Sequence, residues 1–126
     1  MYITIDEDDG RPVYRQVADE IKALIASREL RDGAALPPVR QVAADLGVNL
    51  NTIAAAYRAL QKEGLLLVRH GAGAVVTSAG RAPRKDSDIR KPLRSALAHM
   101  VLSGLSRAEI LAAVDEEIRQ LHKNHG

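Results

Sequence analysis

The chain has 126 residues, of which 46% are hydrophobic and 27% charged, so it has room for one soluble domain and a short appendage. No apolar run approaches the roughly 18 residues that span a bilayer, and the net charge of +2 is too small to identify a partner by itself. The absence of cysteine excludes disulfides, thiolate zinc sites and cysteine nucleophiles, and we expect a cytoplasmic protein without membrane association.

The first segment predicts a short strand followed by a helix. Ile3 and Ile5 alternate with polar residues, which favours an edge strand over residues 2–5. Pro12 suits the first turn of a helix, and apolar side chains recur after it at helical spacing. We therefore expect a first helix over about 12–27.

Two further helices follow in the centre of the chain. A short amphipathic segment begins after Pro37 and Pro38 and stops at Gly47, a residue that permits a tight turn. Asn49 is a favourable N-cap, and the helix that it starts should run to about Glu63. The pair therefore predicts helix, tight turn and longer helix.

A β-hairpin is expected next. Two short apolar runs, 65–69 and 74–77, flank the glycine-containing tetrapeptide 70–73. A helix, a short helix, a tight turn, a longer helix and a hairpin, in that order, are typical of a winged helix-turn-helix domain. We place that domain at residues 1–77 of a mainly α protein with a small β-hairpin.

The remainder predicts a linker and a two-helix tail. Residues 78–92 are polar, proline-containing and rich in lysine and arginine, and we interpret them as a linker that is either solvated or a DNA-contacting arm. Residues 93–126 predict two helices, the second opened by a capping box at Ser106–Glu109. The apolar stripes expected to form a homodimer are Leu93, Leu97, Met100 and Val101 on one helix and Ile110, Val114, Ile118 and Leu121 on the other.

The longest central helix has two distinct faces at about 100° per residue. Its apolar side carries Ile53, Ala56, Tyr57 and Leu60, and its opposite side carries Asn51, Ala55, Arg58 and Lys62. A helix that lies in the DNA major groove needs one anchored face and one small, polar or basic face. The pattern favours a DNA-recognition helix over an ordinary amphipathic surface helix.

Five blocks of sequence, in order, resemble the DNA-binding domain of the GntR family of bacterial transcription regulators. They are PVYRQV at 12–17, LPPVR at 36–40, VNLNTI at 48–53, AYRALQKEGL at 56–65 and RHGAG at 69–73. The acidic leader and the short tail are similar to the YtrA-type subfamily, whose two-helix tail serves dimerisation. The resemblance implies a winged helix-turn-helix and a homodimer bound to double-stranded DNA.

The resemblance also implies roles for individual residues. Arg40 is expected to reach the DNA, and Asn49, Asn51 and Thr52 are expected at the start of the recognition helix, where side chains meet bases and phosphates. His70 and Gly71 correspond to the wing tip, which touches the minor groove in such proteins. The complete expected DNA-binding set is Arg40, Asn49, Asn51, Thr52, Ala55, Arg58, Arg69, His70 and Gly71.

Three positions depart from the family pattern. Pro38 stands where serine is usual, so a hydroxyl contact and a side-chain N-cap are lost. Leu50 and Ala54 stand where relatives often carry arginine, which puts base reading by those arginines in doubt. Arg40, Arg58 and the wing would then supply more of the recognition.

We therefore expect a sequence-specific transcription regulator, a repressor rather than an activator, that binds a pseudo-palindromic operator as a homodimer. The alternative is a winged-helix module that binds another protein, although neither Arg40 nor a basic wing is needed for that fold. An enzyme has little support, because His99, His122 and His125 have no nucleophile or metal-ligand spacing around them. We expect no cofactor and no metal site, and the sequence leaves open whether a small-molecule effector exists.

Overall fold

The structure is a computed structural model and describes residues 1–69, 73–78 and 85–125. In these residues the helices are α1 (Val13–Ala26), α2 (Val39–Leu46), α3 (Leu50–Lys62), α4 (Asp86–Leu102) and α5 (Arg107–His122), and the strands are β1 (Ala35–Leu36), β2 (Leu66–Arg69) and β3 (Gly73–Val76). The fold is mainly α with a small sheet, as the sequence predicts. The chain divides into two compact units, one with α1–α3 and the sheet, the other with α4 and α5.

The core of the first unit is built around α3. Ile53, Tyr57 and Leu60 on α3 are at most 1% exposed, and they meet the equally buried Val17 and Ile21 on α1. Burying an aliphatic side chain of this size contributes about 1.5–3 kcal/mol. The periodicity that defines the apolar faces of α1 and α3 therefore also fixes how the two helices pack.

The sheet has three antiparallel strands in the order β1-β3-β2. The predicted hairpin is confirmed, with Leu66 opposite Val76 and Arg69 opposite Gly73. Strand β1 was not expected from the sequence, because two residues are too few to show an alternating pattern.

The predicted edge strand over residues 2–5 is wrong. Ile3 and Ile5 still pack against the core as half-buried side chains, but their backbone joins no strand. The side chain of Gln16, which is 3% exposed, determines the local geometry. Its Oε1 accepts from the backbone N of Asp6 at 2.9 Å, and its Nε2 donates to the Asp6 carbonyl at 3.1 Å, so a side chain takes the place of a neighbouring strand.

The predicted helix ends are confirmed at several positions. Gly47 ends α2 with φ +67°, a left-handed conformation that favours glycine. In the second unit the capping box is complete, because Ser106 Oγ accepts from the Glu109 N–H and Glu109 Oε1 accepts from the Ser106 N–H. Helix ends of this kind depend on a few adjacent residues, and they can therefore be predicted from the sequence without knowledge of the tertiary contacts.

Helix α4 begins earlier than the sequence suggests, so residues 86–92 of the expected linker are helical. Asp86 and Asp88 lie in the first turn, where carboxylates are stabilised by the helix dipole, and Arg90 pairs with Asp86 at 3.5 Å. Pro92, taken as a linker residue, lies within the helix and leaves one backbone carbonyl without its usual donor. The exposed Asp86–Arg90 pair contributes only about 0.3–0.5 kcal/mol, so it offsets little of the proline's cost.

The second unit exposes much of its apolar surface. Neither α4 nor α5 buries a residue completely. Leu93, Val101 and Ile118 are 46%, 61% and 51% exposed, whereas the other residues of the predicted stripes are half-buried. Within the described residues, no helix combines the length and the apolar character needed to cross a membrane.

Candidate nucleic-acid interface

The turn between α2 and α3 sets the direction of the expected recognition helix. The backbone N of Val48 donates to the Ala43 carbonyl at 3.0 Å as the chain leaves α2. Asn49 then caps α3, because its Oδ1 accepts from the Asn51 N–H at 2.7 Å. With both helix ends satisfied locally, three residues are enough to connect the helices.

The buried face of α3 also holds the segment that leads into α2. The Tyr57 hydroxyl donates to the Pro37 carbonyl at 2.7 Å, while the ring is 1% exposed. Burial raises the pKa of Tyr57 to about 12, because the charged phenolate would lose its hydration. A neutral donor at this position therefore ties α3 to the start of α2.

The C-terminal end of α3 is fixed against the hairpin and against α1. Gln61 Oε1 accepts from the backbone N of Val68 on β2 at 2.8 Å. Lys22 on α1 pairs with Glu63, which follows α3, at 3.0 Å. These contacts hold the C-terminal end of α3 in position relative to the hairpin and to α1.

Gly73 permits a close approach between the hairpin and the segment that enters α2. Its φ is +82°, and a Cβ built there would lie 2.6 Å from the Leu36 carbonyl oxygen. Only glycine fits both the backbone conformation and the space. The base of the hairpin therefore lies directly beside the start of α2.

These contacts bring three of the expected DNA-binding residues together. Arg40 from α2, Asn51 from α3 and Arg69 from β2 line one groove, which we call the α2–α3 groove. Its apolar lining includes Leu50, Ala54 and Val68. All three expected polar residues are exposed, and neither guanidinium has a hydrogen-bond or ion-pair partner in the described part of the chain.

The remaining expected residues lie elsewhere. Arg58 is exposed on α3, while Thr52 and Ala55 are half-buried and do not line the groove. Asn49 is exposed, but its side-chain oxygen serves as the helix cap. His70 and Gly71 lie outside the described residues.

The arrangement suits a ligand that carries phosphates and exposes the hydrogen-bonding edges of its bases. An arginine fork can bind a phosphate or the edge of a guanine with two hydrogen bonds, and an asparagine amide can bind adenine in the same way. Sequence reasoning missed Val68 and Gly73 and treated Leu50 and Ala54 only as departures. The spacing of Leu50 and Ala54, four residues apart just after the N-cap, would have placed both on one helix face.

Residues 13–76 match the family described as "Bacterial regulatory proteins, gntR family". Among curated relatives, the uncharacterised HTH-type regulator YhcF of Bacillus subtilis is 31% identical over 107 residues, which is 83% of this chain and 88% of that protein. The transcriptional repressor YtrA of the same organism is 32% identical over 60% of this chain and 58% of its own length. The chain spans only 15% of the rhizopine catabolism regulatory protein MocR of Rhizobium meliloti, at 38% identity.

The solved structures similar to this chain are also of transcription regulators. The transcriptional antiterminator of Listeria monocytogenes aligns over 96% of this chain and 92% of its own, with a TM-score of 0.81 and 25% identity. YtrA of Sulfolobus acidocaldarius, a GntR-family transcription factor, aligns over 76% and 97%, with a TM-score of 0.61 and 38% identity. The AraR DNA-binding domain, solved in complex with operator ORX1, aligns over 61% and 96%, with a TM-score of 0.54 and 25% identity.

The match therefore covers the unit that contains the α2–α3 groove, and the relatives include transcription factors and a domain bound to its operator. This unit is a DNA-binding domain of a transcription regulator, not of an enzyme. The chain belongs to the GntR family of bacterial transcription regulators, within its YtrA-type subfamily.

Proposed function

We propose that the chain is a homodimeric repressor that binds a pseudo-palindromic operator. The observation that carries this proposal is the α2–α3 groove, where Arg40, Asn51 and Arg69 come from three different elements to one exposed surface. Neither guanidinium has a hydrogen-bond or ion-pair partner in the described part of the chain, so both are available to bind a ligand. The function of the groove is to bind the edges and phosphates of a duplex.

The expected residues divide into two roles. Asn51 reads bases, because it is exposed at the first turn of α3, where a recognition helix meets base edges. Arg40 and Arg69 flank α3 and bind phosphates or base edges, and Arg58 extends the positive charge along the same helix. Thr52 and Ala55 permit close approach, since small side chains keep the helix near the groove floor. Asn49 positions α3 by capping it.

The second unit supports the homodimer. Its predicted stripes remain exposed or only half-buried, and each is wider than a lone helix buries. A second copy of the same helices would cover them across a two-fold axis, the commonest symmetry of soluble oligomers. Two recognition helices related by that axis would read an inverted repeat.

We divide the protein functionally into a DNA-binding domain at 1–77, a linker and a dimerisation tail at 93–126. Because α4 begins at Asp86, the connecting part of the linker is shorter than the predicted 78–92. The curated relative YtrA is a transcriptional repressor, which supports repression rather than activation. A dimer bound across a promoter excludes the polymerase, and such a regulator works in the cytoplasm, where the DNA is.

The test is selection of duplexes from a random library by the intact chain, followed by fluorescence anisotropy on the enriched sequence and on a scrambled one. We expect an enriched inverted repeat that binds at least about a thousandfold more tightly than the scrambled duplex, the lower end of the usual range of about 10³–10⁷ for specific over non-specific binding. The affinity should fall steeply with salt, because lysine and arginine release counterions from the phosphates.

Two results would count against the proposal. Enrichment of a single unrepeated half-site would contradict binding of the operator by a homodimer. If no sequence were enriched, the winged-helix protein-interaction module would become the better account of this domain.

A further inference from the structure

The α2–α3 groove combines an apolar lining with a cationic edge. Leu50, the first residue of α3, is 38% exposed although it is a large aliphatic side chain. Ala54 follows one turn later on the same helix face, and both line the groove together with Val68. The exposed guanidinium groups of Arg40 and Arg69 border this apolar lining.

An occupant of the groove must therefore carry negative charge and also present small apolar groups. A DNA major groove meets both requirements where thymine occurs, because the C5-methyl group of thymine is the one apolar substituent on the base edges there. Guanine would instead place acceptors against Leu50 and Ala54, which have no donor to offer. Asn51, beside them in the groove, favours adenine through two hydrogen bonds.

We infer that Leu50 and Ala54 read thymine methyl groups, so that each operator half-site has an A·T pair opposite the start of α3. This inference rests on the proposed operator binding and deepens it by naming the bases that the groove takes. Leu50 supplies the contact surface, and the small side chain of Ala54 leaves room for the methyl group to enter. The remaining exposed area of Leu50 becomes buried only in the complex.

The experiment uses the full chain and the duplex that it selects from a random library. Each thymine of the selected half-site is replaced in turn by deoxyuridine, which keeps the hydrogen-bonding edge and removes only the methyl group. We expect one or two positions where the replacement weakens binding by about threefold to fivefold, the size of one buried methyl group. In the Leu50→Ala variant, binding to the thymine duplex should be weaker and the deoxyuridine effect at those positions should disappear.

Leu67→Ala is the matched control. Leu67 is 51% exposed in the same unit, and it does not line the groove. This variant should retain the full deoxyuridine effect. Leu50→Met keeps an apolar side chain and should retain at least part of the deoxyuridine effect. This result would show that the effect in Leu50→Ala comes from the lost contact with the methyl group and not from a folding defect.

The outcomes distinguish thymine recognition from the operator binding on which it rests. If a duplex is enriched but no thymine-to-deoxyuridine change depends on Leu50, the thymine inference is wrong while operator binding stands. A selected half-site with guanine rather than thymine opposite α3 overturns it in the same way. If no duplex is enriched, operator binding fails and this inference fails with it.

Discussion

The hydroxyl of Tyr57 joins α3 to the segment before α2 through one hydrogen bond, to the Pro37 carbonyl at 2.7 Å. Replacing Tyr57 by Phe leaves that carbonyl without its donor, which should cost about 1–2 kcal/mol of unfolding free energy at pH 7. The pKa of Tyr57 is raised to about 12, so the stability due to its neutral form is complete below pH 10 and is lost as pH rises toward 12. Urea unfolding at pH 7 and pH 11 should show the difference between wild type and variant shrinking.

A difference that stays constant or grows with pH would contradict this role of the Tyr57 hydroxyl.

At the residue scale, the sequence identifies Tyr57 as part of the apolar face of α3 but does not predict its hydrogen bond. The partner lies twenty residues away in the chain. Local periodicity carries no information about which carbonyl a buried hydroxyl will reach, because that depends on how α2 and α3 cross.

At the scale of elements, the junction between β3 and the segment before α2 depends on Gly73. Gly73→Ala should destabilise the domain by about 2–4 kcal/mol, because the Cβ meets the Leu36 carbonyl and the positive φ disfavours any side chain. Gly33→Ala is the control, since Gly33 has φ +87° but open space around it. Thermal or urea unfolding should therefore show a loss of only about 1–2 kcal/mol for Gly33→Ala, the cost of a side chain in the left-handed conformation. Equal losses in the two variants would mean that the close approach is not what fixes the hairpin.

Most elements follow from the sequence where a local signal is strong. The apolar spacing of α1 and α3, the N-cap Asn49 and the capping box at Ser106 all predict what the structure contains. The errors occur where tertiary contacts decide. Strand β1 exists because β3 lies beside it, and residues 2–5 form no strand because Gln16 takes their backbone groups. Pro92 lies inside α4 although proline disfavours a helix interior, and the exposed Asp86–Arg90 pair is too weak to account for this.

At the scale of the whole molecule, the exposed stripes of α4 and α5 predict the oligomeric state. Replacing the exposed Leu93 and Val101 together by glutamate should convert a micromolar dimer into a monomer, because unpaired carboxylates cannot be buried in an apolar interface. Ser95→Glu on the same helix is the control and should leave the dimer intact, since Ser95 is exposed and outside the stripe. Sedimentation velocity measures the masses, and circular dichroism checks that the helices persist. A wild-type monomer, or a double variant that stays dimeric, would remove these stripes from the interface.

The sequence predicts which polar residues line the groove, but it does not predict that they lie together. The family blocks and the helix wheel identify Arg40, Asn51 and Arg69, but they do not show that three elements bring these residues to one surface. That convergence depends on the Tyr57 and Gly73 contacts, which are not local in sequence. It is also what makes these three surface residues a candidate for one DNA-binding face.

The most direct measurement of the central claim is fluorescence anisotropy of Arg40→Ala on the selected duplex, with thermal melting alongside. We expect a loss of about 1–3 kcal/mol in binding free energy and a change of at most about 0.5 kcal/mol in unfolding free energy, because Arg40 is exposed and has no partner in the described part of the chain. Arg31→Ala removes the same charge from an exposed position outside the groove and should bind almost as tightly as wild type. Arg40→Ala binding as well as wild type, or no worse than Arg31→Ala, would contradict the assignment of the α2–α3 groove as the DNA-binding surface.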